Sequence, residues 1–304
     1  MSVEIEQQLA KIPILRQGVQ LLKSIPLNKK AFSLYDLLEL YIVGIVKGAL
    51  TYRASAIAYS FFVAIFPFLL VVLNLIPYVP IQDFQQDFWF FIDNLLPAGT
   101  HDFFKEIFFD IAGKKRAGLL SGVFVLSLFL TANGINAIFG GFEYSYHIQT
   151  TRNAIRQYFI SVLVALILIF LLLLSVILLL WFEVYIVENL ENMGVLYENA
   201  KIIALGKKLY FVFVVLLIIS VLFLFGTPEK GLRFFSAGSF LTTILIILTT
   251  YLFGIYIESF ARYNQLYGSI GALLIFLLYI WLNSTIVLLG FELNASLLRL
   301  KKSN

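Results

Sequence analysis

The sequence predicts an all-α integral membrane protein, a six-helix transmembrane bundle with amphipathic interfacial helices, and three observations predict it. Hydrophobic residues fill 61% of the 304 positions and charged residues 13%, against about 45–50% and about 25% in soluble domains. The 22 Lys and Arg and 18 Asp and Glu fall in clusters separated by long uncharged runs, the pattern left when lipid excludes charge. Six of these runs reach the roughly 20 residues needed to cross about 30 Å of hydrocarbon: residues 54–82, 117–142, 157–182, 209–228, 234–257 and 263–291. None shows the strict alternation of a barrel strand. The absence of cysteine excludes a disulfide framework and a thiolate metal site, and two histidines argue against a His-rich one.

The elements follow in chain order. Residues 1–34 carry Glu4, Glu6, Lys11, Arg16 and Lys23 among scattered apolar positions. They lack the apolar core and cleavage site of a signal peptide, so they are expected to stay on the mature protein as a cytoplasmic amino-terminal segment. The stretch from Asp36 to Ile76 contains one proline, Pro67, and as a single helix it would reach about 61 Å, twice the hydrocarbon thickness. It must therefore bend. An interfacial helix over about Ser33 to Gly48, capped by Ser33, precedes a first span that starts near Thr51.

After that span, Phe84, Phe88, Phe91 and Leu95 recur at helical spacing opposite Asp83, Gln86 and Asp87. Pro97 and Gly99 end this amphipathic helix, and a second follows, with Phe103, Phe104, Ile107, Phe108 and Ile111 on its apolar face. Both are expected to lie at the outer interface, either covering helix ends or gating a central cavity. The spans are placed at about 51–78, 117–142, 155–182, 207–228, 233–257 and 267–295, in one membrane domain over 35–300 with a cytoplasmic tail at 301–304. No repeat or flexible linker divides it.

Basic residues are retained on the cytoplasmic side. With both termini inside, the inner segments hold 14 basic and 7 acidic residues, and the outer ones hold 8 and 11. Lys114, Lys115 and Arg116 then lie outside, where their long side chains reach headgroups.

Polar side chains within the spans are costly, so they pack against a partner or line a polar path. Asn133, Asn136, Gly140 and Glu143 follow helical spacing along one stripe of the second span. Asn283, Gly290 and Asn294 form another in the sixth, with Glu292 beside it. Arg53 opens the first span and Glu143 closes the second at the same level. Counted from Ile270, Glu292 arrives there after roughly 33 Å of helix. These depths predict one polar cluster of Arg53, Asn133, Asn136, Glu143, Glu292 and Asn294 at the cytoplasmic half of the bundle. Arg53 is its basic member, with Glu292 and Glu143 as alternative partners. Pro67 frees a carbonyl inside the first span, and Gly268 with Gly271 admits a close neighbour at the top of the sixth.

Four segments carry a family resemblance: RASAIAYSFFVAIFP (Arg53 to Pro67), TANGINAIF (Thr131 to Phe139), AGS (Ala237 to Ser239), and YGSIGALLIFLLYIWLNSTIVLLGFELNA (Tyr267 to Ala295). The last, pairing Tyr-Gly with a Leu-Leu-Gly-x-Glu-Leu-Asn ending, is the most specific. Over about residues 35 to 300 the chain resembles the YihY and BrkB family of bacterial inner-membrane proteins. The resemblance implies a six-helix protein of the bacterial cytoplasmic membrane without an agreed activity. The family was long labelled ribonuclease BN, and some members are called virulence factors or linked to envelope lipid export. The Ala-Tyr position of the first segment adds Tyr59 to the candidate substrate-binding residues.

A ribonuclease needs clustered carboxylates or histidines on the side where RNA lies. His101 and His147 are predicted on opposite faces, and the basic turns are too short to make a groove for RNA. No catalytic residue, metal, cofactor or nucleic-acid partner is expected. The polar stripes, the kinked first span and the outer amphipathic helices instead fit a secondary transporter or permease for an anionic lipid or lipid-linked envelope precursor. Arg53 would hold the head group and Glu292 or Glu143 would supply a proton-sensitive counter-charge. No GxxxxGK[ST] loop is present to bind ATP. The alternative is a non-transporting structural or assembly protein of the envelope, in which the same polar residues only join helices. Membrane lipids are partners in either case, and oligomeric state is not legible.

Overall fold

The computed structural model describes residues 33–78, 84–93, 119–145, 152–182, 196–228 and 231–302, together with Lys23, Lys105, Phe108 and Phe109. Seven α-helices account for nearly all of them. These are α1 (Leu34–Lys47), α2 (Leu50–Leu75), α3 (Phe84–Asp93), α4 (Leu119–Glu143), α5 (Ala154–Phe182), α6 (Leu196–Gly226) and α7 (Ala237–Lys302). No strand occurs among the described residues. Six helical segments are long and apolar enough to cross a membrane, the last two being Ala237–Tyr256 and Leu274–Lys301 within α7.

Helix α1 begins where its sequence signal places it. Ser33 and Asp36 form a reciprocal capping box, and Lys47 sits in the last turn, where it complements the helix dipole. Ala49, at φ +49°, separates α1 from α2 and supplies the expected bend. Helix α2 runs unbroken through Pro67.

Helices α2 and α4 pack closely because small residues meet. A Cβ on Gly134 would lie 2.6 Å from Ala64 Cβ, and one on Gly141 would lie 2.6 Å from Ile57 Cδ1. The two arms of α7 fold back on each other. The Gly238 amide donates to Asn294 Oδ1 at 2.8 Å, although 56 residues of straight helix would hold them about 84 Å apart. The chain therefore reverses between Tyr256 and Leu274, over residues whose side chains lie outside the described set, Gly268 and Gly271 among them.

Two helices extend beyond the expected spans. Helix α6 starts at Leu196, about three turns before the expected span, and the final arm continues past 295 to Lys302. The final turns stay ordered because they are buried against protein: Ser296 is fully buried and donates to Glu292 O, and Leu298 and Leu300 are also buried.

The core has two centres. One, built on Ile57, Phe139, Phe142, Phe223, Leu288 and Phe291, lies toward the end where α2 starts and α7 finishes. The other gathers Leu73, Ile76, Phe84, Phe88, Trp89 and Val176 at the opposite end. Helix α3 thus buries its apolar face against the bundle, and Phe108 stacks on Phe88. The rest of the second amphipathic helix lies outside the described residues.

Candidate functional site

Where α2 begins and α4 and α7 end, Arg53 and Glu292 form an ion pair, Nη2 to Oε1 at 2.5 Å, with side chains 6% and 0% exposed. Arg53 Nη1 also donates to Gly141 O at 2.9 Å. The other carboxylate oxygen, Oε2, accepts from Ser145 Oγ at 2.8 Å. Of the two candidate partners, Arg53 therefore takes Glu292. Its Nε–H is buried with no partner.

Two elements enclose the pair. Gly48, at the end of α1, leaves no room for a side chain, since a Cβ there would collide with Gly44 O and stand 3.0 Å from Arg53 Nη2. Tyr41 on α1 has its phenol pKa raised, first by burial and then by the Glu292 charge. At neighbouring positions of α4 and α7, Phe142 beside Gly141 stacks on Phe291 beside Glu292 at 4.0 Å, with Phe223 edge-on to both. These rings are fully buried. The pair itself, 6% and 0% exposed, is shielded from water, which strengthens it electrostatically.

The expected single cluster is divided into separate groups. Glu143 accepts from the Arg152 backbone amide at 3.0 Å. The Gln157 amide bridges Glu143 and Asn136. With its nitrogen turned to the carboxylate it donates at 2.6 and 3.0 Å, and its other end stands 3.2 Å from the Asn136 amide. The Arg152 guanidinium donates to Phe225 O and Thr227 O, both at 2.5 Å, and so satisfies the orphaned carbonyls at the end of α6. Burial lowers the Arg152 pKa, Glu143 opposes that shift, and Arg156 adds to it.

Asn294 is also placed elsewhere. Its Oδ1 accepts from Gly238 N and its Nδ2 donates to Ser236 Oγ at 2.9 Å, fastening the first turn of α7 to its last turns. A side chain on Gly290 would collide with Thr242 Oγ1 and meet Gly238 O at 2.8 Å, so the arms of α7 touch through small residues here.

Three candidate residues stand apart. Asn133 faces outward from the bundle, because Gly134 rather than Asn133 takes the position against α2. Tyr59 is 70% exposed on the outer side of α2. Asn283 donates to Tyr279 O on its own helix, with Oδ1 buried and unpartnered. The helical spacing of Asn133 with Asn136 holds, but the stripe straddles the helix surface and only part of it turns inward.

Sequence reasoning missed Ser145, Gln157, Ser236 and Tyr41. Gln157 was visible as a polar residue at the edge of an uncharged run. Ser145 and Ser236 lie in turns and carry no periodic signal. Among the described residues, no three His, Asp or Glu side chains come together as a metal site would require.

Residues 43–303 match the family described as Virulence factor BrkB. The chain is 27% identical over 251 residues to the ribonuclease-like protein YfkH of Bacillus subtilis (strain 168), covering 82% of this chain and 90% of that one. It is 34% identical over 90 residues to a UPF0761 membrane protein of Coxiella burnetii (strain Dugway 5J108-111), covering 28% of this chain and 32% of that one. A UPF0761 membrane protein of Xanthomonas oryzae pv. oryzae (strain PXO99A) is 39% identical over 66 residues, 22% of this chain and 16% of that one. No solved structure matches.

Proposed function

For a chain that belongs to the virulence factor BrkB family of membrane proteins, we propose a secondary permease for an anionic lipid or lipid-linked precursor in the bacterial cytoplasmic membrane, gated by Arg53 and Glu292. The polar end of the bundle faces the cytoplasm in this reading. The observation that carries it is the buried ion pair at the junction of α2, α4 and α7, whose arginine has an unused Nε–H. Apolar residues of similar volume commonly stabilise a core as well as a buried pair does. A pair kept at this junction is better explained by charges that separate in use.

A phosphate or carboxylate head group offers Arg53 a charge-assisted contact like that of Glu292, and the unused Nε–H lets it add a second prong that Glu292 does not make. Arrival of the head group releases Glu292, whose carboxylate keeps the Ser145 hydroxyl as a donor. Closure of the aromatic layer and of α1 over the pair keeps the path sealed between cycles.

The test must separate gating from fastening. Glu292→Gln strands a buried guanidinium and costs about 3–5 kcal/mol of stability, so loss of function in that variant decides nothing. Arg53→Met combined with Glu292→Leu removes both charges. We expect this double variant to keep wild-type abundance and melting temperature while losing movement of fluorescent phosphatidylglycerol across reconstituted vesicles. Wild-type movement in the folded double variant would reduce the pair to a helix fastener.

A further inference from the structure

Asn133 occupies a position where lipid offers its amide nothing. It stands ten residues before the end of α4 and fourteen after its start, roughly 15 Å and 21 Å along the axis, and so near mid-membrane. The side chain is exposed and has no hydrogen-bond partner among the described residues. It is too short to reach either headgroup layer. Acyl chains neither donate nor accept hydrogen bonds, so an amide held there is costly without a protein partner.

Its surroundings admit another helix. Leu130 lies one turn away and is exposed, beside Phe129, whose partly exposed ring stacks on Tyr158 of α5, and Ala137 lies one turn in the other direction, half-buried. Beyond it, a Cβ on Gly140 would meet nothing within 4 Å. Exposed Leu126 and Leu130 at one end and the small Ala137 and Gly140 at the other leave a shallow step, with the amide between them.

We propose that α4 docks against α4 of a second copy of this chain across a two-fold axis passing close to Asn133. An amide carries both a donor and an acceptor. Two copies related by a two-fold axis therefore satisfy each other, each Nδ2 donating to the other Oδ1, as the self-complementary patch of a symmetric dimer requires. A lipid head group cannot reach this depth, and an unlike partner would have to bring its own polar group to the same level, whereas a second copy already carries one.

The absence of cysteine makes the test direct. Ala137→Cys, oxidised in native membranes, should yield disulfide-linked dimers, since facing residues close to the axis come within bridging distance. Leu248→Cys, exposed on α7, should not. Adding Asn133→Leu should weaken dimerisation about tenfold, read by single-molecule photobleaching in vesicles, as expected for two lost interhelical hydrogen bonds. Asn133→Gln should retain it. Monomers in the wild-type protein, cross-linking through Leu248→Cys rather than Ala137→Cys, capture of an unlike protein at Ala137→Cys, or an unchanged dimer in Asn133→Leu would each overturn the proposal.

Discussion

Arg53 and Glu292 carry opposite charges to a place where neither has another charged partner among the described residues. Glu292 receives one donor at each oxygen, from Arg53 and Ser145, whereas Arg53 leaves Nε–H unused. The asymmetry matters because the full desolvation cost falls on any buried group left unpaired. Tyr41, beside this pair, gives a pH signature. Its phenol pKa is raised in the folded protein above the ordinary value of 10.0, so the folded state holds its proton where the unfolded chain has lost it. Stability from this group is complete below pH 10 and declines as pH rises toward the folded pKa. We expect melting temperature to fall above pH 10, and Tyr41→Phe to make that fall shallower. An identical alkaline profile in the variant would show that Tyr41 contributes nothing.

At the scale of elements, each contact on the polar end joins helices that the sequence leaves far apart. Arg53 reaches α4 and α7, Arg152 reaches the last carbonyls of α6, and Asn294 reaches back across α7 to Gly238. The crossing of the two α7 arms depends on the lack of a side chain at Gly290. Gly290→Ala should therefore destabilise the protein by about 1–3 kcal/mol through overpacking. Adding Thr242→Ala should recover part of the loss, because the first collision is with the Thr242 hydroxyl while Gly238 O remains close. Thermal unfolding in one detergent compares the three proteins, and a Gly290→Ala protein as stable as wild type would remove the close-approach argument.

For the molecule as a whole, the described starts and ends of all six candidate spans alternate so that the first begins and the last finishes at one end, joined by Arg53 and Glu292. The excess of Lys and Arg in segments at that end is the ground for proposing that it faces the cytoplasm. Tags added at either terminus should be protected from protease in intact cells and cleaved in inverted vesicles. Cleavage of both in intact cells would reverse the orientation.

The number of spans, the bend after α1 and the Ser33 cap were legible because charge exclusion, segment length and local hydrogen bonding act within one stretch of chain. Arg53, Glu143 and Glu292 were also found at a common level, since depth follows from residue count along a helix. Which of them pair was not legible. Rotation about each helix axis decides that, and it is set by where Gly134, Gly141 and Gly290 let neighbours approach. That rotation turns Asn133 outward, takes Glu143 to Gln157 and Asn294 to Gly238, and leaves Glu292 to Arg53. Helical spacing places a residue on a stripe, but only packing among the six spans determines whether the stripe meets protein or lipid.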